Sequence, residues 1–340
     1  MDRFGHGGEV PQGYKIKYDF SVNINPLGMP PIVKEAIGNF IITDDILKYP
    51  DAKCSELRRC ISDEENVPAD NILCGNGASE LIMAICACRK PKSVLLYAPT
   101  FSEYERCALL YGAEIKYCSE VSSFPKLAGS YDITFICNPN NPTGELLWDE
   151  SLLERVAESA EKNGKVLVVD ECFIDFTHGK SCVQLLNRFD NLIVLKAFTK
   201  FFAFAGIRLG YMLASKNIIS EVSQYCSSWN VSSIAQRAGC TAIREKASWK
   251  KKTLSLIDKQ REFLYGQLNG IEGVKAFPSD ANFILIKAEK DCFYKLMEKN
   301  ILVRDCSNFE GLDDSYFRIC ISGQKDNELF IKALKEVTDG

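Results

Sequence analysis

Residues 191–211 read NLIVLKAFTKFFAFAGIRLGY. The opening NLIVL (191–195) is a short apolar run of the kind found in strands buried on both faces of a parallel sheet. Three more such runs precede it: SVLLYA (93–98), ITFIC (133–137) and KVLVVD (165–170). Between them lie EYERCALLYG and DESLLERVAESAEKNG, both with helical spacing of apolar residues. This alternation predicts an α/β domain whose helices cover a sheet.

Working outward, residues 217–270 read as mostly helical, with Gly239 and Gly266 as the chief breakers. Beyond them come the shorter strand-like runs ANFILIKA, NILVRDC and YFRICIS, mixed with helical DCFYKLMEKN and NELFIKALKEVTDG. These predict a second, smaller α/β domain, with a boundary near residue 220. No internal repeat or low-complexity linker interrupts the chain.

The 340 residues are 46% hydrophobic and 25% charged, an ordinary composition for a globular protein. A net charge of −4 without a basic stripe argues against a nucleic-acid partner. No apolar run is long enough to cross a bilayer, and the start, MDRFGHGGEVPQGYK, has no signal-peptide core, so no membrane association and a cytoplasmic location are expected. The fifteen cysteines are odd in number, form no Cys-x-x-Cys pair and lie mostly in apolar runs such as LIMAICACRK. With only His6 and His178 as histidines, they read as reduced core residues, and no metal site is expected.

Ligands of open α/β sheets bind beyond the carboxyl ends of the strands. There SVLLYA opens onto Phe101, ITFIC onto NPNNPTG with Asn141, KVLVVD ends in Asp170, and NLIVL runs into Lys200. Lys200 stands among four phenylalanines. Either its stem packs inward while its head reaches water, or its amine is kept desolvated and partly neutral, ready for a Schiff base. Asp170 is either a cap or surface carboxylate, or a buried carboxylate ionised beside a cation. The second readings combine into one chemistry, that of pyridoxal 5′-phosphate. Lys200 takes the aldehyde carbon, Asp170 keeps the pyridine nitrogen protonated, Phe101 lies on the ring face and Asn141 donates to the phenolate oxygen. NILCGNGASE supplies a phosphate cradle: a short strand, a glycine turn, then a helix start with the N–H groups of Gly77, Ala78 and Ser79. Arg208 completes it as a charged fork. GNG also begins a dinucleotide fingerprint, but Glu80 stands where that pattern has its third glycine.

LCGNGASE, CNPNNPTG, VVDE and FTKFFAFAGIRLGY, in that order, resemble the class I/II, fold-type I pyridoxal-phosphate enzymes over nearly the whole chain. The resemblance implies a large cofactor-binding domain (36–220) with a mostly parallel seven-stranded sheet between helices, and a small domain from residues 1–35 and 221–340. It implies Lys200 as the cofactor lysine, Asp170, Asn141 and Arg208 in the roles above, and Arg318 (in YFRICIS) as the clamp for the substrate carboxylate. Tyr49, in LKYPDA, resembles the tyrosine that reaches the phosphate of a neighbouring subunit, which implies a homodimer with shared sites. The family commonly has a hydroxyl three residues before the lysine. Ala197 stands there, and Thr199 is the hydroxyl beside the lysine.

Two subfamilies compete, the threonine-phosphate decarboxylases and the histidinol-phosphate aminotransferases. HGG (6–8), DFSVNINPLGMP (19–30) and DECFIDF, with Phe173 in place of a tyrosine, resemble the decarboxylases, which make the aminopropanol phosphate arm of cobalamin. By that resemblance Arg304, His6 and Asn25 would bind a small phosphorylated amino acid. On position alone, His6 could instead be a mobile terminal residue. A pyridoxal-phosphate binder without catalysis would usually bring an extra DNA- or partner-binding domain, and these 340 residues leave none over for one, so an enzyme is expected.

Overall fold

The computed structural model describes residues 4–338. Thirteen strands among them fall into three sheets. Seven make the principal sheet: β2 (Ile72–Gly75), β3 (Ser93–Tyr97), β4 (Glu114–Cys118), β5 (Ile133–Cys137), β6 (Val166–Asp170), β7 (Leu192–Ala197) and β8 (Gly210–Ala214). They lie in the order β2-β8-β7-β6-β5-β3-β4. β8 runs antiparallel to both neighbours, and every other pairing is parallel. The four strands anticipated from the apolar runs are thus the sheet's middle, where both faces are covered. Edge strand β4, with its mixed EIKYC, gives no such signal.

The helices in chain order are α1 (Pro31–Ile41), α2 (Ser55–Glu65), α3 (Ala78–Arg89), α4 (Ser102–Leu109), α5 (Phe124–Leu127), α6 (Glu150–Glu161), α7 (Phe198–Phe201), α8 (Lys216–Ser223), α9 (Ser233–Arg244), α10 (Lys246–Leu268), α11 (Cys292–Glu298) and α12 (Gln324–Thr338). Alternation along the strands decides which face each packs on. Val94, Leu96, Phe135, Val168, Ile193 and Leu195 share one core with α3, α4 and α8. Leu95, Ile136, Leu167, Val169 and Val194 join the other, with α6. The segment read as helical over 217–270 is α8, α9 and α10.

The carboxyl-terminal strands β9 (Lys275–Ala276), β10 (Phe283–Lys287), β12 (Arg304–Asp305) and β13 (Tyr316–Cys320) form an antiparallel sheet, while β1 (Tyr18–Asp19) pairs in parallel with β11 (Ile301–Leu302). The run NILVRDC therefore contributes to two sheets: Ile301 and Leu302 meet β1, and Arg304 and Asp305 meet β13. This division carries the amino-terminal segment, through β1, to the side of the strands that hold Arg304 and Arg318.

Candidate active site

A cavity of about 300 Å³ lies at the carboxyl ends of the central strands. Among the residues in its wall are His6, Ala78, Ser79, Phe101, Asn141, Asp170, Phe173, Thr199, Lys200, Arg208, Arg304 and Arg318. Residues more than 300 positions apart in sequence therefore converge as the sheet-edge argument anticipates. A wider groove of about 550 Å³ near α1, α2 and α9, with Glu35, Asp45, Asp51 and Glu56 in its wall, contains none of the candidates.

Asp170 ends β6 and is buried. Its Oδ2 accepts from the Tyr104 hydroxyl at 2.7 Å and its Oδ1 from the Cys172 N–H at 2.9 Å. Burial raises its carboxyl above the usual range, against the hydrogen bonds that favour the anion. Lys200 sits on α7, a single turn that follows β7, and lines the cavity. Burial, and then repulsion from Arg318, lower its ammonium from 10.5 to about 8. A partly neutral amine and a buried carboxylate that ion-pairs with no cation among the described residues are what the aldehyde and ring nitrogen of pyridoxal phosphate require.

The phosphate end fits as well. Gly77 precedes α3 with φ +82°, and a Cβ there would lie 2.4 Å from Nη2 of Arg208. The missing side chain lets the guanidinium lie against the turn, beside the first N–H groups of the helix. Arg208 holds its place with φ +61°, a left-handed conformation unusual for a non-glycine. Phe101 forms part of the wall, its ring meeting Tyr104 edge-on. Ala197 and Thr199 are both in the wall, so the hydroxyl absent at 197 leaves a methyl facing the cavity.

At the opposite end two arginines face each other in the register of β12 and β13, Arg304 against Arg318. Arg318 donates to Asn141 Oδ1 and, at 2.9 Å, to the Ser21 carbonyl. Its Nε is buried without a partner among the described residues. Burial lowers its guanidinium to about 10. Arg304 donates to the carbonyls of Asp305 and Gly5, each at 2.6 Å, and to Asn308 Oδ1 at 2.9 Å. Phe173 packs edge-on against Phe283, so no hydroxyl stands at that point of the wall.

Three of the sequence candidates are not in the wall: Gly77 lies behind Arg208, and Asn25 and Tyr49 sit elsewhere. Asn25 is buried but outside the cavity wall, its amide committed to the Phe201 carbonyl at 2.8 Å and to Thr253 Oγ1 at 2.9 Å. Its own N–H donates to the Lys200 carbonyl at 3.0 Å, so Asn25 braces the lysine turn instead of lining the cavity. Asn23 lines the cavity, with a buried Oδ1 that lacks a partner among the described residues. The DFSVNIN run offers both asparagines. A tight turn, Ile24 N–H to the Val22 carbonyl at 3.0 Å, decides which one faces inward. Tyr49 is 81% exposed, its ring tilted against that of Trp229 with centroids 4.9 Å apart, and does not reach the cavity of its own chain. Sequence reasoning also passed over Tyr104 and Glu103, since neither lies at a strand end. EYERC does carry a legible signal, polar residues on the buried side of a helix.

The profile of a family described as aminotransferase class I and II matches residues 15–334. The threonine-phosphate decarboxylase of Salmonella typhimurium is 33% identical, over 98% of this chain and 97% of that protein. A histidinol-phosphate aminotransferase of Caldanaerobacter subterraneus is 34% identical, over 94% and 93%. Among solved structures, the histidinol-phosphate aminotransferase of Clostridium acetobutylicum superposes with a TM-score of 0.88 at 31% identity, covering 95% of this chain and 99% of that one. The L-threonine-O-3-phosphate decarboxylase of Porphyromonas gingivalis gives 0.87 at 25%, covering 95% and 100%. With Lys200, Asp170, Ser79 and Arg208 gathered in one cavity, the chain belongs to the class I and II aminotransferase family and is a pyridoxal-phosphate-dependent enzyme.

Proposed function

We propose that this enzyme decarboxylates O-phospho-L-threonine, or its serine counterpart, to an amino alcohol phosphate of the kind used in cobalamin synthesis. The observation that carries this reading is the facing pair Arg304 and Arg318, both buried and both in the cavity wall. Two buried guanidinium groups match a substrate that brings two anionic groups at once. O-Phospho-L-threonine brings a carboxylate and a phosphate on one molecule; histidinol phosphate has only the phosphate, and an aminotransferase would meet two anions together only in its dicarboxylate partner, 2-oxoglutarate or glutamate.

In this reading Arg318 would hold the α-carboxylate and Arg304, with His6 and Asn23, would receive the phosphate, while Asn141, whose Oδ1 accepts from Arg318, would keep its amide N–H for the cofactor's phenolate oxygen. Asp170 faces the pyridine nitrogen, Lys200 is the anchoring amine, and Ser79, Thr199 and Arg208 surround the cofactor phosphate. The bound cofactor supplies the sink for the electron pair left at the α-carbon. The protein's part is to set which bond lies perpendicular to the ring: anchoring both anions fixes that torsion and presents the carboxylate.

The discriminating experiment incubates the cofactor-loaded enzyme with O-phospho-L-threonine and no oxo acid. Release of CO₂ with stoichiometric aminopropanol phosphate is expected. Turnover that instead requires 2-oxoglutarate and yields glutamate would move the enzyme to the aminotransferases. That second reading is favoured by the histidinol-phosphate aminotransferases, which are as similar in sequence. We further propose a homodimer, in which Tyr49 of each chain serves the neighbour's phosphate site.

A further inference from the structure

Tyr104 of α4 is fully buried in the cavity wall. Its ring lies parallel to that of Phe135 on β5, with planes 9° apart and centroids 5.0 Å apart, and meets Phe101 edge-on at 5.6 Å. The helix start that carries it is fixed as well. Glu103 takes Nε and Nη2 of Arg106 at 2.7 and 2.6 Å and lies 3.2 Å from Nε2 of His6. This packing brings the Tyr104 hydroxyl to Asp170, to whose Oδ2 it donates at 2.7 Å. The neighbouring Cys137 thiol turns instead to the Pro139 carbonyl at 3.3 Å.

Among the described residues Asp170 is thus held by neutral groups, Cys172 and Tyr104. Burial drives its carboxyl toward the protonated form, and the hydrogen bonds from Cys172 and Tyr104 oppose this. Burial, and then the charge on Asp170, push the Tyr104 phenol well above its ordinary value, so it keeps its hydrogen and only donates to the carboxylate. A donor gains roughly twice as much from a charged acceptor as from a neutral one. Tyr104 therefore favours the anion at position 170 over the acid.

We infer that Tyr104 is a positioning residue for the cofactor's ring nitrogen, holding Asp170 oriented and ionised so that the proton the two share rests on the nitrogen and not on the carboxyl oxygen. A hydrogen bond links oxygen and nitrogen in either case, but only the protonated ring withdraws electrons fully. One proton changes place between oxygen and nitrogen, and no other bond is altered. The inference rests on pyridoxal phosphate lying in this cavity with its nitrogen toward Asp170, not on which substrate bond is broken.

The test offers two ligands to the cofactor-free enzyme at neutral pH: pyridoxal phosphate, and the analogue in which a C–H replaces the ring nitrogen. Equilibrium dialysis gives both dissociation constants, and their ratio cancels whatever the empty site contributes. The wild type is expected to prefer pyridoxal phosphate. In Tyr104→Phe, which keeps the ring and its packing, that preference should fall about tenfold, the difference between a hydrogen bond to a charged and to a neutral carboxyl. A role confined to packing would weaken both ligands alike; an unchanged ratio would therefore overturn the inference. In an Asp170→Asn background no anion remains for the hydroxyl to favour, and Tyr104→Phe should leave the ratio alone. A further fall there would also overturn the inference, because the tyrosine would be acting by another route. A wild type without any preference would sink the placement of the nitrogen at Asp170, and the inference with it.

Discussion

Lys200 owes its chemistry to where its amine is held. An amine must be neutral to capture an aldehyde, and burial with repulsion from Arg318 brings the Lys200 ammonium to about 8. Cofactor-free enzyme should therefore take up pyridoxal phosphate faster as pH rises, with an inflection near 8 rather than near the ordinary 10.5. Stopped-flow absorbance checks this, and a flat profile through that range would contradict it. Lys200→Ala should leave no cofactor fixed to the chain after borohydride reduction, as read by mass spectrometry. Gly77→Ala tests the phosphate end. The new methyl meets Arg208 at 2.4 Å from a backbone with φ +82°, so the guanidinium must move. Loss of one charge-assisted contact is worth about 1.5–3 kcal/mol, and the cofactor dissociation constant should rise by about tenfold or more. Equilibrium dialysis of the variant measures it. These residues were legible in the sequence because each sits at a strand end or glycine turn. Asn23 was not, because a local turn, rather than a strand's alternation, aims it.

At the scale of elements, the lysine turn rests on a buried cluster of charges that ties four segments together. Lys196 of β7 lies 2.7 Å from Glu65 at the end of α2 and 3.6 Å from Glu171 after β6. Lys246 of α10 adds contacts to Glu65 at 3.5 Å and Asp175 at 3.4 Å, and the Tyr211 hydroxyl donates to Glu65 at 2.6 Å. Burial alone would raise the Glu65 carboxyl, but Lys196 and Lys246 outweigh it and lower it from 4.5 to about 2. The folded value is depressed, so this stabilisation is fully present above about pH 4.5 and is lost as pH falls toward 2. Its size is at most about 3 kcal/mol at neutral pH. Glu65→Gln should cost about that much in urea unfolding at pH 7, because it also leaves Lys196 less fully paired, and the cost should shrink toward pH 3. An equal cost at both pH values would contradict the assignment. Nothing local announces this cluster: Glu65 and Lys196 are 131 residues apart, and each reads alone as a surface charge.

Across the whole molecule, the segment before α1 belongs with the end of the chain. β1 joins β11, Ser21 accepts from Arg318 through its carbonyl, and Gly5 accepts from Arg304. The other large-scale feature is an apolar stretch left open: Ile42 is 83% exposed, and Leu47, Tyr49 and Trp229 also stand out from the surface. Such exposure is expensive for a monomer and is the expected mark of an interface. Light scattering should give twice the 38.1 kDa of one chain, and Leu47→Asp with Trp229→Asp should shift it toward one. If the dimer shares its sites, the same double variant should retain less cofactor, because Tyr49 no longer meets a neighbour.

By itself the sequence determined the middle of the sheet, the order of its strands' loops, and the residues that those loops deliver: Phe101, Asn141, Asp170 and Lys200. Fully buried strands must be continuously apolar, and a polar residue at their carboxyl end stands out. Tertiary structure alone decided which asparagine faces the cavity, that Tyr104 and Cys172 hold Asp170, that Glu103 stands beneath His6, and that a charge cluster underlies the lysine. Each depends on the mutual placement of segments distant in the chain, and local periodicity carries no information about such placement.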